Sequence, residues 1–88
     1  MQTNPNYAEA LINKGNTLGK LGRYNEAIIF HDKALQINPN YAEAFYDRGV
    51  DLYNLGRYNE SITYFDKALQ IDPTRISKKM AVVFSEYS

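Results

Sequence analysis

One histidine, His31, stands beside a carboxylate, Asp32, and this pair is the sequence's nearest approach to catalytic or metal-binding chemistry. Imidazole carries protons near neutral pH and is a common metal ligand. Either role needs further members, and they are missing. The chain has no second histidine and no cysteine, so neither a thiolate zinc site nor a disulfide framework can form. No glycine-rich phosphate loop, nucleophile elbow or metal-binding histidine pair occurs, and the Asp and Glu residues are scattered. The sequence therefore predicts no enzyme, no cofactor and no bound metal. His31 reads as a structural helix residue.

Charge narrows the partners. Ten Lys and Arg offset ten Asp and Glu, for a net charge of zero. A nucleic-acid binder needs a cationic face to displace counterions. The densest basic group here is Arg75, Lys78 and Lys79, which reads as a solvated helix face. No signal peptide or membrane-spanning run is present, so the expectation is a soluble, cytoplasmic protein that binds neither nucleic acid nor membrane.

The elements that would position any site come from a duplication. Residues 4–37 align without a gap on 38–71, an offset of 34, with 22 identities. Asn4-Pro5-Asn6-Tyr7-Ala8-Glu9-Ala10 recurs as Asn38-Pro39-Asn40-Tyr41-Ala42-Glu43-Ala44, and Leu21-Gly22-Arg23-Tyr24-Asn25-Glu26 as Leu55-Gly56-Arg57-Tyr58-Asn59-Glu60. Each unit reads as two helices. The first is expected to start at Asn6 and Asn40 as N-caps, with Glu9 and Glu43 completing capping boxes. Gly22 and Gly56 end it in the left-handed conformation. The second runs from Tyr24 to Ile37 and from Tyr58 to Ile71, and Pro39 and Pro73 stop it. Apolar steps of three, four and seven support helices throughout, as in Leu11, Leu18 and Leu21 or Phe45, Leu52 and Leu55.

With this period and these markers the chain resembles the tetratricopeptide repeat family. Counting from Ala8 and Ala42 as first positions, the small residues at the eighth are Gly15 and Gly49, at the twentieth Ala27 and Ser61, and at the twenty-seventh Ala34 and Ala68. The proline at the thirty-second is Pro39 and Pro73, and the aromatic at the twenty-fourth is Phe65, replaced by His31 in the first unit. The fourth position is Leu11 and Phe45, and the seventh is Lys14 and Arg48, whose stems are expected along the helix surface with the charge in water. The resemblance implies an all-α superhelix of about five antiparallel-stacked helices in one domain over residues 1–88. Repeats would occupy about 8–41 and 42–75. A closing helix is expected at about 76–87, where Ile76, Met80, Val83, Phe84 and Tyr87 form an apolar stripe.

The resemblance also implies that first helices line a concave groove that holds a protein or peptide partner. The groove stripe is then Glu9, Ile12, Asn13, Asn16, Gly19 and Lys20 in the first unit, and Glu43, Tyr46, Asp47, Val50, Tyr53 and Asn54 in the second. Tyr46 and Tyr53 have no tyrosine twins, so they are candidates for recognition, whereas Tyr7, Tyr24, Tyr41 and Tyr58 recur in register and read as junction packing. The family's clamp for a terminal carboxylate is not expected. Asn16 suits it, but Ile12 stands where a lysine is wanted, Asp47 where an asparagine is wanted, and Ser77 and Ala81 replace the later basic pair. The alternative function is homo-oligomerisation through stacked repeat ends or the closing helix.

Overall fold

The structure, a computed structural model, describes residues 5–85, and the side chains of 7–82. Five helices account for nearly all of it: α1 (Pro5–Lys20), α2 (Tyr24–Ile37), α3 (Ala42–Asn54), α4 (Tyr58–Ile71) and α5 (Pro73–Ser85). The described residues contain no strand. Helices α1 and α2 form one hairpin and α3 and α4 a second; α3 packs against α2, and α5 against α4. Helices α1, α3 and α5 also touch in sequence, so they form one layer, with α2 and α4 behind it. This is an all-α solenoid.

The helix ends follow from local chemistry. Gly22 (φ 78°) and Gly56 (φ 81°) take the left-handed conformation that a Cβ would strain. Around them, the amide N–H of Arg23 donates to the Leu18 carbonyl and that of Gly22 to the Gly19 carbonyl, both at 2.9 Å. Arg57 and Gly56 repeat the pattern on Leu52 and Tyr53, at 2.9 and 3.0 Å. Both first helices thus end in the same Schellman closure.

The expected N-caps are corrected. Pro5 opens α1, so Asn6 lies inside the helix rather than before it. Tyr41 occupies the cap position of α3 and makes no side-chain cap bond. Asn38 does the turning instead, its Oδ1 accepting from the Asn40 amide at 3.1 Å, and Glu43 is drawn away to Lys79. Pro73 begins α5 three residues earlier than expected, and Asp72 Oδ1 accepts from the Arg75 amide at 3.2 Å.

Two apolar clusters share α3. Ala8, Leu11, Ile12 and Ala34 pack with Ala44 on one side, while Ala42 and Tyr46 pack with Phe65, Ala68 and Ile76 on the other. Burying Ile12, Leu52 and Ile76 contributes about 1.5–3 kcal/mol each. Ala10 and Leu21 stay exposed, although Ala44 is buried, because no earlier repeat lies against α1 among the described residues. Tyr7 is likewise mostly exposed, and Tyr58, though more than half exposed, packs its ring on Tyr53 across the α3–α4 turn. The side chains of Val83, Phe84 and Tyr87 lie outside the described residues.

Each hairpin is closed by a glycine against a ring. A Cβ on Gly15 would stand 2.6 Å from His31 Nε2, and one on Gly49 would stand 2.7 Å from Phe65 Cε1. Cations bind the same hairpins from outside. Lys14 lies 4.6 Å from the Phe30 ring and Arg48 4.3 Å from the Tyr64 ring, so the charged ends rest on aromatics instead of in free water. Arg48 also pairs with Asp32 at 2.7 Å.

His31 joins the two repeats. It is fully buried, with Nδ1 2.7 Å from Asp51 Oδ2 and Nε2 3.0 Å from Asn16 Oδ1. The carboxylate accepts from Nδ1–H, and the Asn16 amide can present either an acceptor or a donor to the other nitrogen. The histidine's partner is therefore a carboxylate 20 residues away, not its neighbour Asp32.

These contacts set two expectations. Gly49→Ala should destabilise the fold by about 1–3 kcal/mol despite alanine's better helix propensity, and adding Phe65→Leu should restore part of the loss in urea unfolding. His31→Phe copies the second repeat's residue yet should cost about 1–3 kcal/mol, because Asp51 loses its donor; the double variant with Asp51→Leu should recover stability.

Candidate interaction groove

The layer of α1, α3 and α5 carries two clefts. The first, about 260 Å³, lies between α1 and α3 and is lined by Asn16, Gly19, Lys20, Tyr24, Asp47, Val50, Asp51 and Asn54. The second, about 480 Å³, lies between α3 and α5 and is lined by Tyr46, Asp47, Val50, Lys78, Lys79 and Val82. Asp47 and Val50 belong to both, so the clefts meet along one face of α3.

Of the groove residues expected from sequence, Asn16, Gly19, Lys20, Asp47, Val50 and Asn54 come together in the first cleft, and Tyr46 joins Asp47 and Val50 in the second. Glu9, Ile12, Asn13, Glu43 and Tyr53 line neither. Ile12, 2% exposed, is a core residue. Tyr46 is 3% exposed, with its ring centroid 5.6 Å from that of Phe65, so it forms the cleft's floor and supports the core at once. Glu43 is tied to Lys79 Nζ at 2.7 Å. Tyr53 turns toward Tyr58, their rings meeting edge to face at 5.1 Å. Asn54 Nδ2 donates to the Val50 carbonyl at 3.0 Å, and Asn16 is held by His31, so both amides have fixed orientations.

Sequence reasoning missed Tyr24, Asp51, Lys78, Lys79 and Val82. Tyr24 reads as packing because it recurs as Tyr58. The lysines read as a solvated face, yet Lys79 also lies 5.3 Å from the Tyr46 ring. A signal did exist: Lys78 is 34 residues after Ala44, a position that faces the preceding repeat.

Asp47 dominates the electrostatics. It is 8% exposed, and burial pushes its carboxyl up to about 6, with Glu43 adding to the effect. His31, Lys79 and the Asn16 amide oppose it without cancelling it. Its Oδ2 has no hydrogen-bond partner among the described residues. Burial also raises Asp51, against the hydrogen bond and charge of His31. Among the described residues no group of three metal-ligating side chains forms a metal site.

A carboxyl raised in this way holds its proton more tightly folded than unfolded. Stability therefore falls as pH rises from about 4 to about 6, and the deficit persists above that. Thermal unfolding should show a more stable protein at pH 5 than at pH 7.5. Asp47→Asn should flatten that slope and stabilise the chain at pH 7.5 by up to about 3 kcal/mol.

The repeat geometry has a counterpart among known families. The family model described as tetratricopeptide repeat matches residues 8–41 and again 42–75, in tandem. No curated protein matches the chain significantly. The first match takes in α1 from residue 8 onward and all of α2, and the second takes in all of α3 and α4. On this match and this architecture, the chain belongs to the tetratricopeptide repeat family.

Proposed function

We propose that this chain is a binding module that holds a segment of a partner protein along the face of α1, α3 and α5. Tetratricopeptide repeats in general mediate protein–protein interaction. The observation that carries the reading here is the pair of clefts joined through Asp47 and Val50. Their volumes suit individual side chains of an extended peptide or of a docked helix. The α1–α3 cleft is mixed, with the amides of Asn16 and Asn54 held in place at its wall by His31 and by the Val50 carbonyl. The α3–α5 cleft has an apolar floor from Tyr46, Val50 and Val82. A catalytic role has no support among these residues, and no helix among the described residues is long and apolar enough to cross a membrane.

The second reading is association of copies of the chain. Ile62 and Ile71 on α4 and Val82 on α5 are exposed, Val82 by 67%. In this reading the α5 end of one copy meets a repeat of another, whereas a closing α5 that seats Ile76 on Phe65 and Ala68 limits such growth.

Titration with a library of blocked peptides should shift the amide resonances of Asn16, Lys20, Val50 and Asn54 while leaving those of Ile29 and Ile62 in place. Val50→Glu should weaken that binding at least tenfold with helicity unchanged. Shifts confined to α2 and α4, or binding indifferent to Val50→Glu, would sink the groove reading. Light scattering across a concentration series should return the monomer mass; a mass that climbs, and falls back on Val82→Asp, would favour self-association instead.

A further inference from the structure

Asp47 is costly where it stands. It is more than nine-tenths buried, and its Oδ2 has no hydrogen-bond partner among the described residues. The neighbouring basic side chains are already committed. Lys79 Nζ is 2.7 Å from Glu43, and His31 is bonded to Asp51 and Asn16. The Asn16 side chain hydrogen-bonds the carboxyl, but a buried anion with its other oxygen unsatisfied still carries a desolvation cost that an apolar or amide residue would avoid. The same carboxyl lines both clefts, at the place where they meet.

From this geometry we infer that Asp47 is the anchor for a basic side chain, so that the partner segment presents an arginine or lysine beside an apolar residue. The inference rests on the groove reading above and specifies its ligand. A long basic side chain suits both halves of the α3–α5 cleft. Its methylene stem lies on Val50 and Tyr46, and its charged head is directed at the carboxyl, whose buried Oδ2 must turn toward the cleft to receive it. A guanidinium donates two hydrogen bonds to a carboxylate in a fixed fork, and such charge-assisted bonds are about twice as strong as neutral ones. Lys20 and Lys78 are exposed at the cleft rims, where solvent screens their repulsion of an incoming cation. An acidic peptide end has the opposite fate, since it would be desolvated against Asp47. Val50 and Val82 supply the apolar area for the residue beside the cation.

The test uses five pools of acetylated and amidated heptapeptides. The central position is fixed as arginine, lysine, asparagine, glutamate or leucine, and the flanks are mixed from alanine, leucine and tyrosine. Each pool is titrated at pH 7.5 into the whole 88-residue chain and followed through backbone amide resonances. The arginine pool should bind at least tenfold more tightly than the asparagine, glutamate and leucine pools, with its largest shifts at Asp47 and Val50. Asp47→Asn should reduce the arginine pool to the level of the asparagine pool while the variant melts no lower than the parent. Equal binding of the leucine or glutamate pool, or an arginine preference that survives Asp47→Asn, overturns the inference and leaves the groove reading standing. If no pool moves a groove resonance, both fail together.

Discussion

Close approach between a glycine and a six- or five-membered ring is the constraint on which the rest of this molecule depends. Gly15 under His31 and Gly49 under Phe65 set the separation of the two helices in each hairpin. Glycine inside a helix costs about 1 kcal/mol relative to alanine. Ring packing at contact distance offsets it and brings Ala27, Ala34 and Ala68 to full burial on the facing helices. With the hairpins this thin, α3 can serve two cores, one on each side. Its clefts exist because α1 and α5 flank it without covering its front.

Much of the architecture was legible in the sequence because duplication samples the same physics twice. Gly22 and Gly56 marked the helix ends, and α2 and α4 have the bounds that Tyr24, Ile37, Tyr58 and Ile71 suggested. The caps were misread because asparagine favours two local structures. Asn38 closes a turn with its own side chain, which leaves Asn40 with no capping work. The groove was harder to read. A first helix in this stack is contacted by its hairpin partner and by a neighbouring repeat, so its buried arc is wider than a simple amphipathic stripe. That is why Ile12 and Tyr46, placed on the open face by register, are buried, while Asn16 and Asp47 on the same stripe remain at the cleft.

The polar contacts at the repeat junction had no local signature at all. His31 and Asp51 are 20 residues apart, and neither has a like residue at its twin position, Phe65 or Thr17. Only a tertiary structure brings such a pair together. The same holds for Lys79, whose bond to Glu43 spans 36 residues and ties α5 to α3. The basic cluster near the end of the chain is therefore partly structural and partly a rim of the groove.

The difference between the two junctions bears on how the chain finds its order. Repeats this alike offer similar surfaces, with α3 lying against α2 and α5 against α4. At one back the ring is an imidazole, and at the other it is a phenyl. Asp51 on α3 satisfies the first, whereas the apolar Ile76 of α5 takes the place beside Phe65, where a carboxylate would be stranded in a dry interface. A single histidine thus acts as a key that distinguishes one repeat from its copy, and the stack assembles in one sequence of layers.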